Sequence, residues 1–147
     1  MTTVPQKQID EQTEGTDRHE EMAARLTAPL LTFDLEAEIK QLQKEELWLK
    51  NGRISKTLVK HSDFRILLIL MKAGTLMQEH KTDARISIQS LSGRLLIKLD
   101  EQTVELSAGH LLVLEKALSH DVNALEESAF LLSISWPNGV DQEPDRS

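Results

Sequence analysis

After Gly52, no stretch between turn signals is long enough to hold a crossover helix, and this alone rules out an alternating strand–helix fold with a parallel sheet. Segments 56–60, 64–71, 75–80, 85–91, 94–99, 103–106, 111–114, 120–124 and 129–135 are rich in Ile, Leu and Val and read as short strands. They are cut by His61-Ser-Asp63, Ala73-Gly74, Ser92-Gly93, Asp100-Glu101 and Ala108-Gly109. Turn signals recurring about every 8–12 residues are the mark of a sandwich or barrel. The expected class is all-β, an antiparallel jelly-roll barrel, whose larger members enclose a ligand cavity.

Ahead of the barrel the period changes. Leu35, Ile39, Leu42 and Leu49 fall on one face at helical spacing, with Asp34, Glu36 and Glu38 favourably placed near the amino end. Asn51-Gly52 supplies the stop, and one short amphipathic helix is expected over residues 34–50. The expected organisation is a disordered or loosely attached acidic tail over 1–33, the helix and its cap over 34–52, the barrel over 53–136 and a polar tail over 137–147.

Composition removes several functions. The chain of 147 residues has a net charge of −7, no cysteine and no tyrosine. Disulfides, thiolate metal sites and a Cys nucleophile are excluded. An acidic chain without a basic stripe has no footprint for a phosphate backbone. Its five aromatics (Phe33, Trp48, Phe64, Phe130 and Trp136) are too few for a base-stacking platform, so no nucleic-acid partner is expected. No run approaches the roughly 18 apolar residues of a spanning helix, and Met1–Val4 leads into polar sequence, so a cytoplasmic protein without a membrane partner is expected. There is no Gly-x-Ser-x-Gly elbow and no phosphate-cradling glycine loop.

Four stretches carry a resemblance. They are Gly74-Thr-Leu-Met-Gln-Glu-His80, Ile88-Gln-Ser-Leu-Ser-Gly93, Val104-Glu-Leu-Ser-Ala-Gly109-His-Leu-Leu-Val-Leu114 and Ser119-His120-Asp-Val-Asn-Ala124. In that order they resemble the two motifs of the cupins, the RmlC-like jelly-roll superfamily, over about Trp48 to Trp136. More narrowly, the chain is similar to small single-domain bacterial cupins that have a short helix ahead of the barrel and no assigned reaction. The resemblance implies a barrel that can hold a divalent metal (Zn, Fe, Ni or Mn), usually on three His and one Glu. Carried over by position, His80 fills the first histidine slot, Thr82 the second, Ile86 the glutamate slot and His120 the last.

Two imidazoles do not make a tight site. Catalytic zinc generally has three protein ligands, and a facial triad needs a carboxylate beside two His. Strand alternation sets Glu79 and Asp83 on the face opposite His80 and Thr82. A cupin epimerase of this shape would pair a His base with a Tyr acid, which this chain lacks. The other histidines read as solvent-facing: His61 at a hairpin end, His110 past a turn glycine, His19 in the tail. Met71 and Met77 read as core filler, and Trp48 and Trp136 as packing anchors.

The expected function is binding of a small molecule in the barrel, with a weakly held divalent metal on the degenerate pair His80 and His120. Thr82, Ile86, Ile88, Gln89, Leu112 and Leu114 are the expected cavity wall, with Leu95 and Ile97 beside them; parity alone leaves open whether Gln89 faces the cavity or the outer sheet. A metal-dependent oxygenase or isomerase is the alternative, and a non-catalytic interaction protein the third. Cupin relatives pair through sheet edges, so a homodimer is also an expectation.

Overall fold

The segment Phe64–Met71 carries one charge in eight residues, so it can lie in a protein only where both of its faces are covered. The computed structural model describes residues 28–78, 83–116 and 118–137, and in it this segment is β2, second in a five-stranded sheet. The chain divides into two units, Met1–Thr32 and Phe33–Ser147. Of the first, residues 28–32 are described and form no helix or strand. The expected acidic tail up to residue 27, and the polar tail from 138, lie outside the described residues.

Among the described residues of the second unit, nine strands follow two helical segments, α1 (Leu35–Leu42) and α2 (Glu46–Asn51). The strands are β1 (Arg53–Lys60), β2 (Phe64–Met71), β3 (Leu76–Gln78), β4 (Arg85–Ser92), β5 (Arg94–Lys98), β6 (Thr103–Ser107), β7 (Leu111–Leu114), β8 (Asp121–Ala124) and β9 (Ser128–Ser135). One sheet runs β1-β2-β9-β4-β7 and the other β3-β8-β5-β6, with every pairing antiparallel. Alternation along β2 then sends Ile69 and Met71 between the sheets, into a core with Ile86, Ile88, Leu95, Ile97, Val122, Phe130 and Leu132. Leu68 and Leu70 point the other way, into a second core with Leu42, Trp48, Leu58 and Ala129 under the helical segments.

The helix differs from the sequence expectation. The single helix expected over 34–50 is two, separated by a turn in which Lys44 and Glu45 bond back three residues, to the Gln41 and Leu42 carbonyls, and Glu45 turns extended. The reason is Trp48. At about 100° per residue, an unbroken helix would put Trp48 about 120° away from Leu42 and bring Leu49 inward instead. Breaking the helix buries the indole, which is 4% exposed, and leaves Leu49 63% exposed. Asp34 caps α1 by accepting from the Ala37 N–H at 3.1 Å, and Gly52, in the left-handed region, caps α2. Lys72 lies 5.1 Å from the Trp48 ring centroid, covering its outer face.

Gly93 is where the chain leaves one sheet for the other, between β4 and β5. Its φ is +82°, and a Cβ there would meet the Glu127 carbonyl and Ser128 Oγ inside contact distance. Gly109 has the same handedness, at +88°, but opens on empty space. Gly109→Ala is therefore expected to cost only the left-handed backbone term, roughly 1–2 kcal/mol. Gly93→Ala adds displacement of a backbone carbonyl and is expected to cost at least about 3 kcal/mol by urea unfolding. Equal costs at the two sites would refute the close approach.

Candidate ligand cavity and the buried histidine

The register of β1 on β2 sorts the residues of β1 by face. Ile54 pairs with Leu70 and shares the helix-facing side, whereas Arg53 pairs with Met71 and Ser55 with Ile69, on the side that faces between the sheets. Arg53 reaches across to the other sheet, where Nη1 donates to the Leu76 carbonyl of β3 at 3.3 Å. Beside this bridge lies a cavity of about 560 Å³, within the range of small-molecule sites. Its floor is apolar: Leu67 and Ile69 from β2, Leu132 and Ile134 from β9, and Met77 from β3. Leu47 of α2, Arg53, Ile54, Ser55 and Gln78 also line it, and among the described residues the lining contains no carboxylate.

Of the expected wall, the described residues do not line this cavity, and Thr82 lies outside the described residues. Ile86, Ile88 and Leu114 are buried in the core between the sheets, with Leu112 partly buried against it, and the cavity does not reach them. Gln89, whose face the sequence left open, is exposed and paired with the equally exposed Leu111. Sequence reasoning misses Arg53 and Ser55, because the strand pattern is evident only from Lys56, although the barrel is expected from residue 53. The available signal was Gly52: a helix cap immediately before Arg53 leaves no room for a loop.

His120 immediately precedes β8 and is 2% exposed. Neither ring nitrogen has a hydrogen-bond partner among the described residues. Burial pushes the imidazole pKa below its ordinary 6.5, and it outweighs the opposing pull of the Leu118 backbone and the Asp121 carboxylate. The Leu118 carbonyl, although near, does not make a hydrogen bond of ordinary geometry with either nitrogen. His120 is thus a neutral, unpartnered imidazole in the interior. His80 and Thr82 lie outside the described residues, while Gln78, two residues before His80, pairs with Asp121, the residue after His120. His61, Asp83 and His110 are exposed.

The described residues do not amount to the metal centre that the sequence resemblance implies. Among them no three His, Cys, Asp or Glu come together as a metal-binding group. The position matched to the carboxylate is Ile86, a hydrocarbon 4% exposed in the core. What they contribute toward a metal is the one neutral imidazole.

Because the native pKa of His120 is lowered, the unfolded chain binds its proton more tightly. Its contribution to stability is complete above about pH 6.5 and is lost as pH falls toward the lowered native value. Unfolding free energy measured in urea from about pH 7 to about pH 5 is expected to fall more steeply for the wild type than for His120→Gln. Parallel curves would mean that the ring is hydrated.

No protein-family model matches the sequence, and no curated protein matches it significantly. Solved structures do. A Streptococcus pyogenes protein of unknown function is 25% identical, with 60% of this chain aligned to 77% of that one at a TM-score of 0.57. A cupin superfamily protein of Desulfitobacterium hafniense is 19% identical, over 58% of this chain and 79% of the other, at a TM-score of 0.57. Salicylate 1,2-dioxygenase of Pseudoaminobacter salicylatoxidans, 14% identical, matches 75% of this chain at a TM-score of 0.65, and this chain spans only 34% of its length. No helix among the described residues is long and apolar enough to cross a membrane. With its two antiparallel sheets, its short helices ahead of them and these neighbours, the protein is a cupin by fold.

Proposed function

We propose that the protein binds a small organic molecule in the barrel, in the cavity bounded by β1, β2, β3 and β9. The observation that carries this reading is the cavity itself. About 560 Å³ of space opens on Leu67, Ile69, Met77, Leu132 and Ile134, with polar groups confined to Arg53, Ser55 and Gln78. An apolar floor with a few convergent polar groups is the usual composition of a ligand site.

Methyl-labelled protein screened by NMR against a fragment library is expected to give hits that shift Ile69, Leu132, Ile134 and Met77 together. Ile134→Trp, which fills the space, is expected to abolish them with the fold intact. A screen in which no compound moves this set of methyls overturns the proposal.

A second reading is a divalent metal held weakly by His80 and His120. The unpartnered imidazole of His120 favours it, since a buried polar group without a partner costs about 1–3 kcal/mol and a ligand would satisfy it. Calorimetric titration of chelator-stripped protein with Zn, Ni, Fe(II) and Mn is expected to give micromolar binding that is lost in both His80→Ala and His120→Ala. Absence of binding in that range removes the metal.

A further inference from the structure

The cavity has a sign. The whole chain carries −7, yet among the described residues of the lining the only charged side chain is the guanidinium of Arg53. Among the described residues no carboxylate lies within ion-pair distance of it, although Lys56, Arg85 and Arg94 are each matched to a Glu. Its one hydrogen bond among those residues runs from Nη1 to the Leu76 carbonyl, which fixes the head group at the cavity mouth. The edge formed by Nε and the other terminal nitrogen is left for a partner. Two parallel N–H groups on that edge match the two oxygens of a carboxylate. Ser55, two residues further on the same face of β1, adds a hydroxyl to the same wall.

We infer that the cavity takes a small carboxylic acid with an apolar body, its carboxylate on Arg53 and its body on Ile69, Leu132 and Ile134. This rests on the reading of the cavity as a ligand site and names the class of its ligand. One cation balances one negative charge. A phosphate monoester would bring close to two, and among the described residues the lining has no second base to compensate it.

The test uses the full chain at low salt and neutral pH, where hexanoate, octanoate and benzoate are ionised, each titrated beside its neutral amide and beside hexyl phosphate. The acids are expected to bind about tenfold or more tightly than their amides. Arg53→Gln is expected to abolish the preference for the acids over their amides; Arg53→Lys is expected to retain part of it. Arg53 is exposed at the start of β1, and methyl signals of Ile69, Leu132 and Ile134 that keep their wild-type positions in the free variant report that its cavity is intact. Acids and amides binding alike, a preference that survives Arg53→Gln, or hexyl phosphate binding above hexanoate each overturn the inference while the cavity remains a ligand site. Failure of acids and amides alike overturns the inference, and an empty fragment screen beside it overturns the ligand site as well.

Discussion

Everything in this structure follows from having to cover β2 twice. Leu68 and Leu70 on one face and Ile69 and Met71 on the other are all nearly inaccessible, and no single sheet could bury both sets. One face receives the four-stranded sheet, the other receives α1 and α2. β9, its neighbour, is bound by the same condition, with Phe130 and Leu132 between the sheets and Ala129 and Leu131 toward the helices. Each fully buried Leu or Phe is worth about 1.5–3 kcal/mol relative to exposure, so the helical segments are as much a part of the barrel's stability as its strands. The broken helix is a consequence: regular geometry yields in the turn before Glu46 because burial of the indole outweighs the few backbone hydrogen bonds rearranged there.

Covering β2 leaves β1 as the outermost strand of its sheet, with no partner strand beyond it. There, among the described residues, the side chain of Arg53 bridges the two sheets by donating to the Leu76 carbonyl. A cavity is stable at such a place for a simple reason. Further along the sheets Ile88, Leu95, Ile97 and Phe130 close the interior with hydrocarbon, whereas at β1 the residues facing between the sheets are Arg53, Ser55 and Thr57. Polar side chains cannot close a dry core without partners, so the space beside them stays open.

The strands were legible because their signal is local: β2 and β7 have the bounds that turn residues and apolar runs gave, and the others differ at their ends. The helix was legible in its first half, where Leu35, Ile39 and Leu42 share a stripe. It failed beyond Gln43, because periodicity cannot see that a tryptophan competes with a leucine for the same groove. The site was harder. Counting parity along β4 separates Ile86 and Ile88 from Gln89 but cannot say which set faces inward, nor whether an inward residue meets a cavity or a packed core. Arg53 was invisible for another reason: its part depends on the pairing of β1 with β2 and its bridge to β3, both long-range in sequence, and nothing in its neighbours marks it.

Ile86 and Arg53 lie at different places in the barrel and bear on charge separately. A carboxylate at position 86 would supply the negative charge that offsets a divalent cation in a low-dielectric interior; a hydrocarbon there supplies none, and it adds to the core instead. Burial lowers the pKa of His120 and so favours its neutral form. Among the described residues of the cavity lining the full charge is positive. On the reading proposed above, the cavity receives an anion beside a base, and a barrel of this architecture can serve either sign because the strands position the groups and the side chains alone decide the charge.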